Sequence, residues 1–427
     1  MAAAVSAGVL FGAVGVILGL TTPWEPLPGK VPGGSVAPDP ALDFTAAEIA
    51  RSRAFDDALT PPAYAGLVTG LAVVLILGLT PLGSRLIGWA TARVPRRPLR
   101  VIAAALLLTT VVRVAGLPFD IWGESILRRY GLSTQTWGSW LVDQAKSLGV
   151  TWVIWSLVLV LLFALLRRFP RYWWTGAAAG AFALVIGVSF IYPIVVEPVF
   201  NTFRSLPAGQ LRTDLLAMAE RDGVPVEDVL VADASRRTTA LNAYVSGFGS
   251  TRRIVVYDTL LKSTPPKRIE SIVAHELGHA KSRDVLYGTL VGALGVAGAV
   301  CLLQLALTSP ALRRRAAAGE GLADPRSVAL LLALITVSTQ LSAPVQNLVS
   351  RRIEARADAH ALDLTRDPET FVTMQHELSV RNISDLGPDV LEYVLWLTHP
   401  SGPDRIAMAR DWARMHGVPE PRPLTRR

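Results

Sequence analysis

Seven stretches of the chain run for about 20 residues almost without charge, the length a helix needs to cross the hydrocarbon core of a bilayer. They cover residues 1–24, 58–84, 101–119, 147–166, 172–196, 285–312 and 327–350. Each predicts a membrane-spanning helix. Only the third carries a charge, Arg113, which in lipid must face a partner or a water-filled cavity. The seventh carries Thr336, Ser338, Thr339, Gln340 and Ser342, so one of its faces is expected to pack on protein. The first span lacks a basic leader, and no small-residue cleavage site follows it, which predicts a retained helix and not a signal peptide.

The connections are of two kinds. Residues 25–57 are rich in Pro, Gly and acidic groups and read as an extended loop, and residues 118–146 as a mixed loop. Short arginine-rich loops lie at 85–100, 167–171 and 313–326. They hold 12 basic residues, against six in the two segments just named, Lys30, Arg51, Arg53, Arg128, Arg129 and Lys146. The positive-inside rule then puts the arginine-rich loops in the cytoplasm and the long polar segments, 197–284 and 351–427, outside it.

Composition supports a lipid setting. Of the 427 residues, 51% are hydrophobic and 18% charged, against about 25% charged in an average soluble domain. The net charge of +8 does not point to nucleic acid, because the basic residues flank apolar spans and no basic helix with interleaved aromatics occurs. The single cysteine, Cys301, excludes an internal disulfide and a Cys-based zinc site. Abundant Ala, Arg and Pro with little Lys look like a GC-rich genome, and the chain is expected in the cell membrane of a bacterium.

Residues 267–284 change period. Ile269, Ile272, Val273 and Leu277 recur at three- and four-residue steps, which predicts an amphipathic helix. On it stand His275, Glu276 and His279 in the pattern H-E-x-x-H. The histidines are one turn apart on one face and can share a metal ion. Glu276 is rotated by about 100 degrees from His275, beside the place of a metal-bound water. With 6 His and 14 Glu in the chain, chance yields this pattern with a probability of about 0.003. His376-Glu377 begins a similar pattern, but Val380 holds its fifth position, so that stretch reads as a solvated helix face.

A catalytic zinc site wants three protein ligands and an open position. Glu354 and Asp358, four apart on a predicted helix, fit as third ligand and as the carboxylate that orients a ligating histidine. The same residues could form surface charge pairs with Arg352 and Arg356, and His360 is an alternative ligand whose small apolar neighbours read more like packing. Residues 240–259 read as a β-hairpin with a Gly-rich turn at 247–250. A free strand edge beside the zinc helix could pair with an extended substrate backbone.

H-E-x-x-H on a helix that enters a membrane span, followed one hairpin later by Glu354-Ala355-Arg356-Ala357-Asp358, resembles the type I CAAX prenyl endopeptidases, membrane zinc proteases of the gluzincin type. Leu117-Pro118-Phe119, Tyr130-Gly131-Leu132, residues 143–148, residues 192–201 and residues 206–211 are similar to the same family, and the likeness reaches from the first span to about residue 410. The resemblance implies that Asn242, Ala243 and Tyr244 form the substrate-binding strand. It implies that His399 and Arg405, in Thr398-His399-Pro400 and six residues on, stabilise the transition state. It also implies a chamber enclosed by the spans, and a catalytic part facing the cytosol, against the arginine count.

The sequence thus predicts a polytopic α-helical membrane protein with about seven transmembrane helices and a small α+β zinc-metalloprotease domain. Residues 1–196 hold five spans and residues 285–350 two more; residues 197–284 and 351–427 hold the catalytic parts. One Zn2+ per chain is expected, on His275, His279 and Glu354, with Glu276 as general base and acid and Asp358 behind a ligand. The expected partners are the bilayer and a peptide or protein substrate, with lipidated and membrane-bound ones among the candidates; no nucleic acid or protein partner is indicated. The competing readings are a quality-control protease indifferent to prenylation and a transporter or scaffold with an inactive protease domain.

Overall fold

The computed structural model describes residues 1–247, 252–319 and 321–426. In chain order, α1 (Ala2–Thr21) leads through an irregular stretch to α2 (Pro40–Asp43), α3 (Ala46–Leu79), α4 (Pro81–Thr91), α5 (Arg97–Arg129), α6 (Trp137–Arg168) and α7 (Trp173–Ile191). A π turn at Tyr192–Val196 carries α7 into α8 (Glu197–Phe200). Then follow β1 (Phe203–Ser205), α9 (Gln210–Arg221), β2 (Asp228–Ala232), β3 (Ala243–Ser246), β4 (Arg253–Tyr257), α10 (Asp258–Ser263) and α11 (Pro266–Lys281). The chain closes with α12 (Asp284–Leu307), α13 (Pro310–Ala316), α14 (Val328–Thr365), α15 (Pro368–Asn382), α16 (Val390–Leu395) and α17 (Gly402–His416).

Among the described residues, seven helices are long and apolar enough to cross a membrane: α1, α3, α5, α6, α7 with its continuation to Phe200, α12, and α14 with the turn before it. Several are longer than the apolar pattern. α3 starts at Ala46 inside the stretch read as a loop, because Thr45 and Glu48 form a capping box there. α5 passes Pro118 and runs to Arg129, and α6 starts at Trp137, so most of residues 118–146 is helix. Charge marks where a helix leaves lipid, not where it ends. In the other direction, Pro81 and Pro310, each at the first position of a new helix, cut the second and sixth apolar stretches short.

Arg113 is paired within the bundle: it donates to Asp120 at 2.6 Å and also to Gln144. Three of the five polar side chains of the seventh span do not pack on protein as expected, while Thr336 and Gln340 are half-buried. Ser338, Thr339 and Ser342 are exposed and bond to carbonyls of their own helix, at 2.9, 3.1 and 2.8 Å.

The bundle has two distinct ends. Ile87, Val101, Leu166, Trp173, Leu307, Ala316 and Val328 share one buried cluster, which gathers the three arginine-rich loops. The polar segments assemble at the other end. There a four-stranded sheet of order β1-β2-β4-β3 packs with α11, the end of α14, α15 and α17 around Val256, Ile269, Val273, Leu362, Phe371 and Trp412. The stretch before α3 is tied to this body by a buried bidentate pair, Arg410 to Asp43 at 2.8 and 2.6 Å. β3 is an edge strand, antiparallel to β4, as the hairpin reading required. Gly247 takes a positive φ of 90° at the strand end; the rest of the expected turn, residues 248–250, lies outside the described residues.

α3 and α14 touch at backbone distance. A Cβ on Gly78 would lie 2.3 Å from the Cβ of Ala333 and 2.6 Å from the carbonyl oxygen of Ala329. Gly78→Ala is therefore expected to cost about 1–3 kcal/mol by forcing the helices apart. Gly70→Ala, on the same helix with nothing within 4 Å, is the control. Thermal unfolding in detergent should show a lowered midpoint for the first variant only.

Candidate active site

The site forms where α11 crosses α14. Buried Ile269, Ile272, Val273 and Leu277 seat α11 in the core. Gly278 lets α14 come close: a Cβ there would stand 3.1 Å from the Cβ of His360 and 3.2 Å from the Cα of Ala357. The crossing brings Glu354 against the histidine pair. His275 Nε2 lies 3.1 Å from His279 Nε2 and 3.2 Å from Glu354 Oε2, and His279 Nε2 lies 3.5 Å from Glu354 Oε1. One ligand atom from each residue falls within 4.8 Å of the others.

The outer nitrogens are both occupied. His275 Nδ1 is 2.8 Å from Asp358 Oδ1, and His279 Nδ1 is 2.9 Å from Asp284 Oδ2. Each carboxylate holds the ring hydrogen on Nδ1 and turns the Nε2 lone pair toward Glu354. Glu354 Oε2 is buried and accepts no hydrogen bond from the described residues. Two converging lone pairs and an unsatisfied carboxylate oxygen suit a metal dication, and a His2Glu set is one that zinc takes in catalytic sites. Burial pushes the His275 imidazole pKa down, but Asp358 and Glu354 outweigh it and bring it up to about 10. These carboxylates thus favour a cation on Nε2, either a proton or the metal ion that would displace it and take the lone pair.

The carboxylates behind the histidines are themselves held. Fully buried Asp358 receives Arg405 Nε at 2.7 Å and a second bond from Arg405 Nη2. Asp284 receives Arg356, which also donates to the carbonyl of Thr21 at 3.2 Å. His360 is turned away from the cluster: its Nε2 meets Asp222 at 3.0 Å, and Asp222 also takes Lys281 at 2.6 Å. The second His-Glu pair is not a solvated face. His376 stacks on Phe44 at 4.9 Å, and Glu377 accepts from Arg268 at 2.7 Å.

Glu276 faces two cavities. The larger, about 460 Å³, is also lined by Asn242, His275, Glu354, His399 and Arg405. The smaller, about 230 Å³, is lined by Glu276 and His279 with the end of β3 and the start of α12. The Glu276 carboxylate bonds to none of the described residues, and burial pushes its pKa up. His399 is 58% exposed, with Nε2 3.4 Å from Glu354 Oε1 and Nδ1 2.8 Å from the Thr398 hydroxyl. Burial pushes its pKa down, so the ring is neutral at neutral pH. Arg405 reaches the cavity wall with two of its nitrogens committed to Asp358.

Asn242 lines the larger cavity, whereas Ala243 is buried and Tyr244 directs its hydroxyl toward Glu197, 3.5 Å away. What the strand offers is backbone. Tyr257 N–H donates to the Asn242 carbonyl at 3.0 Å, and Ala243 stands opposite Val256. By antiparallel alternation, the N–H and C=O of Ala243 and Val245 then face the free edge.

Asp284 escaped the sequence reading. It lies five residues beyond His279, across the break between α11 and α12 where Arg283 takes a φ of 57°, so spacing within one helix did not point to it.

A buried His-His-Glu cluster with a free carboxylate beside it, at one end of seven spanning helices, defines a membrane metallopeptidase. Residues 205–413 match the model of peptidase family M48, and residues 50–202 match the model described as CAAX prenyl protease N-terminal, five membrane helices. The chain belongs to peptidase family M48; it is an integral-membrane, metal-dependent hydrolase of peptide bonds. It is 30% identical over 373 residues to the uncharacterized metalloprotease YhfN of Bacillus subtilis, covering 87% of each chain. It is 28% identical over 308 residues to the CAAX prenyl protease 1 homolog of Oryza sativa, covering 70% of each. Its fold matches the crystal structure of S. mikatae Ste24p with a TM-score of 0.78 at 21% identity, over 95% of this chain and 98% of that one. A bacterial relative fits a bacterial membrane.

Asp284→Asn keeps an acceptor for His279 but removes the charge that holds Arg356. Affinity for a divalent metal is expected to fall about 10–100-fold, as for other groups behind a metal ligand. Chelator competition on the purified protein measures it.

Proposed function

We propose that the chain is a zinc endopeptidase, with one Zn2+ per chain on His275, His279 and Glu354, which cleaves peptide or protein segments presented as extended strands. The convergence of those three side chains beside the uncommitted Glu276 carries this reading. Bound there, zinc would polarise the scissile carbonyl and acidify a water. Glu276, its pKa raised by burial toward the working pH, takes the proton from that water and delivers it to the leaving amine. Asp358 and Asp284 keep the imidazoles in one tautomer. With the Thr398 hydroxyl donating to Nδ1, neutral His399 carries its hydrogen on Nε2 and offers it to the developing oxyanion. Arg405 lends positive charge from the cavity wall while it fixes Asp358.

The free edge of β3 pairs with the substrate backbone through Ala243 and Val245, and Asn242 stands at the cavity end of the strand. Such recognition does not depend on side chains or on a lipid. Relatives named CAAX prenyl protease 1 support a prenylated tail as one substrate; the backbone mode supports a second reading, clipping of unprenylated membrane or envelope proteins. The inactive-scaffold reading has no observation in its favour.

Glu276→Gln should retain zinc and lose about 100- to 10,000-fold in cleavage rate, the range for a lost general base. Undiminished turnover in a preparation free of other proteases would overturn the assignment. A prenylated peptide and its unprenylated twin should both be cut, the lipid lowering KM by concentrating the peptide in the membrane. A twin that binds and is not cut would make the enzyme prenyl-specific.

A further inference from the structure

The smaller cavity has a chemical bias. It is lined by Glu276, His279 and Val245 together with Arg252 and Arg283. Neither guanidinium has an acidic partner among the described residues, whereas Arg405 in the larger cavity is spent on Asp358. Among the described residues the cavity thus sets two cations without an acidic partner against the one carboxylate of Glu276. A cleft lined by one sign of charge with apolar walls, here Val285 and Leu286, concentrates the opposite charge.

The strand fixes which part of a substrate meets it. Asn242, just before β3, lines the larger cavity, whereas Val245 near its end and Gly247 just after it line the smaller. Antiparallel pairing, the more stable kind, places the substrate's N-terminal side over Val245. The residues preceding the scissile bond then lie at Arg252 and Arg283. Side chains of a strand alternate in direction, so one of the second and third residues before the bond faces the cavity.

Resting on the endopeptidase reading above, we infer that Arg252 and Arg283 form a specificity subsite for an acidic side chain, Asp or Glu, two or three residues before the cleaved bond.

The test uses the full-length, zinc-loaded protein in neutral detergent and internally quenched peptides with Glu, Gln or Lys at each of those two positions. At one of them kcat/KM is expected to be about 10-fold higher for Glu than for Lys at low salt, and to converge at 1 M NaCl, as for exposed charge pairs. Arg252→Glu and Arg283→Glu should each shrink or invert the ratio of Glu to Lys peptide within the same enzyme. Should neither variant fold, the wild-type profile and its salt dependence decide. Equal cleavage of all three peptides, a preference that salt does not weaken, or an acidic preference after the bond instead of before it overturns this inference and leaves the endopeptidase reading standing. No cleavage of any peptide by the wild type removes both.

Discussion

How closely α11 can approach α14 governs the rest of the site. The first helix carries His275, Glu276 and His279, the second carries Glu354 and Asp358, and Gly278 stands at the contact one residue from His279. A methyl group there would sit 3.1–3.2 Å from His360 and Ala357, so the helices would have to part by a few tenths of an ångström. Core packing transmits such a shift with little loss. Metal–ligand distances tolerate about 0.2 Å. The smallest possible side-chain addition is therefore already comparable to what the donor geometry can absorb.

The same crossing ties the metal pocket to the membrane. Asp284 is the first residue of α12, where a carboxylate also complements the helix dipole. Arg356 reaches from α14 to the Thr21 carbonyl at the end of α1, where a guanidinium is favoured for the converse reason. The pair that steadies the second histidine thus also closes the ends of two spanning helices. Asp358 and Arg405 do the equivalent on the soluble side, joining α14 to α17 through a carboxylate shielded from solvent. Taking one partner from such a buried pair leaves an uncompensated charge, which is far costlier than losing an exposed one.

The parts of this arrangement that depend on short-range spacing were legible in the sequence. Seven apolar stretches gave seven helices, and the one-turn spacing of His275 and His279 put both on one helix face. Glu354 was reached by ligand arithmetic, since two histidines do not complete a catalytic set. Helix ends were less legible. Hydropathy reports where a helix leaves lipid, so α3, α5 and α6 continued into stretches read as loops. Beyond Glu354 and Asp358, contacts across the chain were not legible. Asp284 turns back over a helix break, His360 finds Asp222 on α9, and His376 is taken up by Phe44 from the far N-terminal side. No local pattern encodes these partners, because tertiary packing alone makes them neighbours.

Packing also changes how the charges should be counted. At the catalytic end many basic groups are neutralised within the fold: Arg410 by Asp43, Arg405 by Asp358, Arg356 by Asp284, Arg268 by Glu377 and Lys281 by Asp222. At the opposite end the loops are short and poor in acids, with Asp324 pairing Arg326. The orienting charge counted by the positive-inside rule is the unpaired charge of short loops near span ends. On that count the arginine-rich end is the cytoplasmic one, and of the six basic residues counted against its 12, Arg128 pairs with Glu124 and Lys146 with Asp143. The rule and the arrangement implied by the family resemblance thus make opposite demands on this chain, and internal pairing at the catalytic end strengthens the side of the rule.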